Sequence, residues 1–306
     1  MIYTCTLNPA IDYIMNLSVL ESNKINHIKH AFFRAGGKGI NVSVVLHNLG
    51  INSVALGFIG DFTGSFIKND LKEYTRIKLD FIDIPGRTRM NIKINHGNKE
   101  TDVNDRGPKV SNQDFNKLLN QIDQLTENDL LICSGSTCQG QPAAYQKIAK
   151  ICDKRNIKFI MDVPGKEILD FIDYKPFLIK PNLEELEDYF DIKIGSMKEL
   201  IDYGKRLVDM GASNVLVSMG SKGSILLDKD HIYRANKIHG QVVNTTGAGD
   251  SMIAGFVNSY IQYGDIKKAY LYAVSAGTAT VFGEGLATKD TCNMYQDKIK
   301  IKEIHS

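Results

Sequence analysis

The chain repeats one unit: a short, almost wholly apolar stretch followed by a stretch with apolar residues three and four positions apart. "DLLICSGS", "KFIMDVP", "FLIKPN" and "NVLVSMG" alternate with "AAYQKIAKICDKRN", "KEILDFI", "LEELEDYF" and "MKELIDYGKRLVDMG". A strand that is apolar on both faces must be covered on both. The alternation therefore predicts an α/β fold, a doubly wound and mostly parallel sheet with helices on either side. The crossovers should be right-handed. The same rhythm opens the chain. "MIYTCTLNP" reads as a strand, and "INVSVVLHNLG" as a helix with Val42, Val45, Leu46 and Leu49 on one stripe and Gly50 as its stop. "SVALGFIG" and "TGSFIKNDLKEY" repeat the pair, "GSILLDKDHIYRANK" reads as a hairpin, and helices are expected over 248–262, 266–281 and 289–300.

Two segments break the rhythm. Residues 13–30 and 88–106 alternate apolar and polar side chains, as in "RMNIKINHGNKETDVND". Such half-exposed strands predict a small β lid. The main domain is then 1–12, 31–87 and 107–306. The lid would cover the crevice at the C-terminal ends of the main strands, where open α/β sheets bind ligands. Its exposed edge or face suits pairing with a second copy of the chain, a homodimer through the lid.

Bulk properties exclude several classes. The 306 residues are 43% hydrophobic and 24% charged, and 37 basic against 35 acidic residues leave a formal charge of +2. No general field draws nucleic acid or a membrane surface. No apolar run is long enough to span a bilayer, and "MIYTCTLNPAID" lacks the basic start and apolar core of a signal peptide. Cys5, Cys133, Cys138, Cys152 and Cys292 are odd in number and without close pairs, which argues against a disulfide framework or a zinc site. The expectation is a reducing, cytoplasmic location.

Two glycine clusters carry the chemistry. "NTTGAGDSMIAGF" at 244–256 places Asp250 behind Gly247 and Gly249 at the start of an apolar helix. Bare amides at a helix N-terminus hold anions, and a carboxylate there would repel one unless it has a chemical task. The alternative is an aspartate that only complements the helix dipole. The stretch is not a dinucleotide fingerprint, because Met252 stands where the third glycine belongs and no βαβ unit follows. "AGGKGIN" at 35–41 is not a Walker A loop, since Gly39 follows Lys38. It too precedes a helix, with Lys38 and Asn41 as charge and forked amide.

Together and in this order, the two clusters resemble the PfkB, or ribokinase-like, sugar kinases. "GGKGINVSVVLHNLG" with "GFIG" at 57–60 is similar to their N-terminal signature, and "NTTGAGDSMIAGF" to their C-terminal one. "IKPNLEEL" at 179–186 is similar to their Asn-x-x-Glu element, here Asn182 and Glu185. The resemblance spans essentially the whole chain and implies a ribokinase-like doubly wound sheet with a β lid. Within the family, "TLNPAID", "GRTRMNIKI" and "TDVNDRGP" are most similar to 1-phosphofructokinases and tagatose-6-phosphate kinases.

The resemblance implies phosphoryl transfer from ATP with Mg²⁺. Asp250 would be the base, and the amides of Ala248, Gly249 and Asp250, freed by Gly247, would form an anion hole. Asp12, Gly37 and Asn41 would bind the sugar. Arg87 and Arg89, two apart near a strand start and so on one face, would hold its phosphate with Lys38, and Asn91 shares that face. Lys24, His27, Lys29 and Arg106 are further candidates for that basic site. Lys180, Asn182, Ser218, Gly220 and Gly223 would approach the nucleotide, and Ala276 and Gly277 would wall its adenine. Glu185 would reach Mg²⁺ through water. Asn244 stands where many relatives carry Asp, which weakens the expectation of a K⁺ site without removing K⁺ stimulation. The expected reaction is fructose 1-phosphate to fructose 1,6-bisphosphate. Its rivals are a tagatose-6-phosphate kinase and a non-catalytic sugar-phosphate sensor.

Overall fold

The computed structural model describes residues 1–97 and 99–304. The chain enters as β1 (Ile2–Thr6) and crosses to the small sheet as β2 (Ala10–Leu17) and β3 (His30–Gly36). It returns as α1 (Lys38–Asn48), β4 (Ser53–Ile59), α2 (Asp61–Asp70), β5 (Ile77–Leu79) and β6 (Ile82–Asp83). A second excursion gives β7 (Arg89–His96) and β8 (Lys99–Asn104). Then follow α3 (Asn112–Asp123), β9 (Leu130–Ser134), α4 (Ala144–Arg155), β10 (Lys158–Asp162), β11 (Leu178–Ile179), α5 (Leu183–Phe190), α6 (Met197–Asp209) and β12 (Val215–Ser218). β13 (Ser224–Leu227), β14 (Ile232–Ala235), α7 (Ala248–Tyr263), α8 (Ile266–Phe282), α9 (Lys289–Gln296) and β15 (Ile301–Glu303) complete it.

Among the described residues, eleven strands form one sheet in the order β15-β14-β13-β12-β11-β10-β9-β1-β4-β5, with β6 also on β4. β12 through β5 pair in parallel, and β13, β14 and β15 extend the edge in antiparallel fashion. The parallel strands are apolar on both sides because each face is covered. Leu131, Cys133, Phe159 and Met161 face one layer with α3 and α4, while Leu130, Ile132 and Ile160 face the other with α1, α7 and α8. α7 and α8 pack closely because Gly255 has no side chain: a Cβ there would lie 2.8 Å from Ala276 Cβ and from Tyr272 O.

Among the described residues, four strands form the separate small sheet, in the order β3-β2-β7-β8. Its first excursion runs from Ala10 to Gly36, wider at both ends than the alternating pattern of 13–30. "AID" and "FFRAG" lack clean alternation, yet Ala10 pairs with Gly36 and Asp12 with Arg34. "KEILDFI" folds not as an α-helix but as two 3₁₀ turns, Lys166–Asp170 and Ile172–Tyr174, broken at Phe171 with φ −136°. The last helix stops at Gln296 rather than 300, and β15 follows it.

Candidate active site

The cleft lies between the C-terminal ends of β1, β9, β10, β11 and β12 and the inner face of the small sheet, and encloses about 420 Å³. Gly247, at φ 81°, turns the chain into α7 and sets Asp250 in the first helical turn. Asp250 is only 5% exposed, yet lines the cleft. Asn41 Nδ2, from α1, donates to Asp250 Oδ2 at 2.8 Å. Oδ1 carries no hydrogen bond among the described residues. Burial, helped by the charge of Asp162, pushes the Asp250 carboxyl up to about 6, against the pull of Asn41, Lys38 and Lys180. The amides of Gly249 and Asp250 have no backbone partner among the described residues, while Ala248 N turns back to Thr245 O at 3.4 Å.

Asp162, at the end of β10, holds two lysines. Lys38 Nζ lies 3.3 Å from its Oδ2 and Lys180 Nζ 3.4 Å from its Oδ1. Asp162 is 2% exposed; burial opposes its charge, but Lys180 and Lys38 outweigh burial and hold the carboxyl below the usual range. Burial likewise opposes the Lys38 ammonium, and Asp162, Glu185 and Asp250 overcome it, so its pKa is raised. A Cβ on Gly249 would fall 2.8 Å from Lys180 Nζ. The ammonium therefore lies over the free amides at the start of α7, and glycine keeps that approach open. Amides, two cations and a buried carboxylate of raised pKa form a site that can neutralise a moving anion and take up a proton.

The opposite wall is the small sheet. β2 and β7 run parallel with Asp12 beside Asn91, and Asn91 Nδ2 donates to Asp12 Oδ1 at 3.0 Å. Arg89, Asn91 and Lys93 sit at alternate positions of β7, which puts them on one face, and all three line the cleft. The Arg89 guanidinium is held by Asn8 O at 3.1 Å and Asp105 O at 3.2 Å, and burial lowers its pKa. Lys93 pairs with Asp102 at 3.5 Å.

Residues 6–292 match the model of the pfkB family carbohydrate kinases. The chain belongs to the PfkB family. It is 38% identical to the 1-phosphofructokinase of Bacillus subtilis over 99% of this chain and all of that one. It is 37% identical to the D-tagatose-1-phosphate kinase of Bacillus licheniformis, over 99% of this chain and all of that one. A Staphylococcus aureus structure described as a candidate phosphofructokinase superposes with a TM-score of 0.88 at 39% identity, covering all of both chains. The protein is thus a phosphotransferase with the ribokinase-like α/β fold of PfkB kinases.

In this PfkB kinase, Asp12, Gly37, Lys38, Asn41, Arg89, Asn91, Lys180, Asn182, Ser218, Gly247, Gly249 and Asp250 converge on the cleft. Arg87 does not. It is exposed and precedes β7, so the same-face argument that joined it to Arg89 fails. Gly220 and Gly223 shape the turn between β12 and β13, at φ 55° and 93°, outside the cleft lining. Ala276 and Gly277 are buried in the α7–α8 interface, where a Cβ on Gly277 would meet Met252 Cγ at 2.6 Å, so neither forms a cleft wall. Lys24 pairs with Glu21, and neither it nor His27, Lys29 or Arg106 reaches the lining. Asp162, Lys93 and Arg34 are the charged residues not singled out from the sequence. Extending the period-2 alternation one step beyond Asn91 reaches Lys93; Asp162 reads in sequence only as the polar end of a buried strand.

The family implies ATP use, typically with a metal ion. Among the described residues no group of three His, Cys, Asp or Glu is placed to hold an ion directly. Asn182 Oδ1 accepts from Glu185 N at 2.8 Å, and Glu185 Oε2 accepts from Asn182 N at 2.9 Å. The Asn-x-x-Glu spacing is thus that of a capping box. It leaves Glu185 Oε1 without a hydrogen bond among the described residues, and Glu185 itself stands outside the cleft lining. Asn244 Oδ1 accepts from Thr246 N at 3.0 Å, so this side chain closes a turn rather than offering a carboxylate to a monovalent ion.

Proposed function

We propose that this kinase phosphorylates the primary 6-hydroxyl of fructose 1-phosphate with the γ-phosphoryl group of Mg·ATP. The observation that carries the reading is the buried Asp250 carboxylate, raised to about 6 and held by Asn41, at the helix start over which Lys180 lies. Asp250 Oδ1 takes the proton of the attacking hydroxyl. The amides of Gly249 and Asp250, with Lys180 and Lys38, balance charge on the transferred group. Bound Mg²⁺ would neutralise the phosphates, with Glu185 ordering one of its waters. Arg89 and Lys93 give the small sheet the cationic face an already phosphorylated sugar requires, and Asp12 and Asn91 take ring hydroxyls. The sheet acts as a lid that excludes water. Ser218, the last residue of β12, and Asn182, just beyond β11, are joined by a parallel bridge and border the nucleotide side.

The curated relatives support a ketohexose 1-phosphate as acceptor. The Bacillus licheniformis protein is named for D-tagatose 1-phosphate, which makes this C4 epimer the second reading in place of tagatose 6-phosphate. A sensor without activity has no use for a buried base of raised pKa. Steady-state kinetics with Mg·ATP on fructose 1-phosphate, fructose 6-phosphate and the tagatose 1- and 6-phosphates tests the reading, with and without K⁺. Fructose 1-phosphate should give the highest kcat/KM, and turnover confined to another sugar overturns it. A second copy is the partner proposed for the small sheet, whose Phe32 and Phe33 remain 51% and 47% exposed. Sedimentation of a Phe32→Ser, Phe33→Ser variant should show monomers.

A further inference from the structure

We propose that Arg34 is a positioning residue for the acceptor: it braces the Asp12 carboxylate and sharpens the choice between ketohexose phosphates that differ at a ring hydroxyl. The inference rests on the sugar-phosphate reading above. Arg34 lies on β3 directly opposite Asp12 on β2, and Asn91 on β7 is Asp12's neighbour on the other side. The three side chains form one row across the inner face of the lid.

The Asp12 carboxylate is confined by three residues of the two flanking strands. Beside it on β3, two residues along from Arg34, a Cβ on Gly36 would lie 2.7 Å from Asp12 Cγ, so the carboxylate occupies space that only glycine leaves. From β7, Asn91 Nδ2 engages Oδ1 at 3.0 Å. From β3, Arg34 Nε stands 3.8 Å from Oδ2. That is ion-pair range but too long for a hydrogen bond. Oδ2 is left with an unfilled acceptor position.

Buried polar atoms without partners are uncommon and call for an explanation. Among the described residues, two of them flank this one carboxylate: Arg34 Nε and Asn91 Oδ1. A buried donor and a buried acceptor, both idle beside a carboxylate, are matched by a ligand that carries several hydroxyls. When a sugar hydroxyl donates to Asp12 Oδ2, a small tightening of β3 on β2 brings Arg34 Nε into bonding range. Asn91 Oδ1 can accept from a neighbouring hydroxyl. A row completed only by a correctly oriented pair of hydroxyls discriminates by leaving its groups unpaired with the wrong epimer. Arg34 needs no contact with the sugar to do this, because its effect passes through Asp12.

The test compares Arg34→Ala, Arg34→Gln and Arg34→Lys with the wild type in the full-length enzyme, on fructose 1-phosphate and tagatose 1-phosphate. In Arg34→Ala and Arg34→Gln the KM for the preferred sugar phosphate should rise about tenfold or more, the loss of a charged hydrogen bond. The KM for ATP and the melting temperature should stay near wild type, and the ratio of kcat/KM between the epimers should fall. Arg34→Lys should recover part of the KM, since the charge returns without the planar fork. Unchanged sugar KM and epimer ratio overturn the proposal. So does a parallel loss in ATP KM, sugar KM and melting temperature, which marks a general loosening around Tyr74, whose phenol also feels the Arg34 charge. If the wild type uses neither epimer, the substrate reading fails, and the Arg34 comparison runs on the sugar phosphate it does use.

Discussion

Asn41 and Asp250 stand 209 positions apart and share one hydrogen bond, Nδ2 to Oδ2, at 2.8 Å. That contact joins the two glycine clusters, because α1 and α7 both begin at the cleft and pack against one another. One carboxylate oxygen is fixed by the first cluster, and the other is left for substrate by the second.

The first consequence concerns Asp250→Asn. The amide keeps the shape but accepts no proton, so kcat should fall by about 10²–10⁴. Stability should move the other way. Asp250's folded pKa, about 6, lies above its ordinary 3.8. The native state therefore binds this proton more tightly. The stabilisation is complete below about pH 4 and is lost as pH rises through 6, a cost of roughly 3 kcal/mol at pH 8. Urea unfolding at pH 8 should find the variant more stable than wild type, with the gain shrinking toward pH 4. A variant that is active, or less stable at pH 8, contradicts this account.

The pH profile of activity follows from the same group. With Asp250 ionised as the base, kcat/KM should fall below about pH 6 with unit slope. Asn41 lowers this pKa and Asp162 raises it. Asn41→Ala should therefore shift the acid limb to higher pH, and Asp162→Asn to lower pH. Two shifts of opposite sign from two single substitutions are hard to obtain from general unfolding.

Asp162→Ala should also cost stability. It leaves the buried Lys180 ammonium and the neighbouring Lys38 without their shared partner, and breaking such a buried pair typically costs about 3–5 kcal/mol. Denaturant midpoints at pH 7.5 measure it. The KM for ATP should rise as well, because Lys180 loses the contact that holds it over Gly249.

The alternation of apolar strands and amphipathic helices made the main sheet legible, since strands covered on both faces cannot hide their composition. The edges were harder to read. β15 has three residues, and its pairing with β14 is a tertiary fact with no local pattern. α3 is absent from the alternation read in the sequence although its pattern is regular: Phe115, Leu118, Leu119 and Ile122 stand at i, i+3, i+4 and i+7 behind the Ser111 cap. At the site, glycine spacing marked Asp250 and Lys38 because close approach demands glycine. Asp162 carried no such mark. Its importance comes from two lysines delivered by α1 and by the end of β11, which no stretch of sequence shows together. Arg87 was misread because β7 starts two residues later, and a boundary shift removes a same-face relation.

The last prediction separates two roles of Glu185. As the capping partner of Asn182 it uses Oε2, and glutamine at this position offers the same kind of oxygen at the same reach. Glu185→Gln should therefore leave the melting temperature near wild type. Glu185→Ala, which removes that oxygen, should cost about 1 kcal/mol. Charge is the remaining difference. Ordering a metal-bound water calls for an anionic acceptor, and Glu185 is the first-turn acid whose field reaches Lys38 in the cleft. The Mg²⁺ concentration for half-maximal rate should rise about tenfold in Glu185→Gln, with sugar KM unchanged. If the Gln variant keeps its Mg²⁺ dependence while the Ala variant melts earlier, Glu185 is a cap and nothing more.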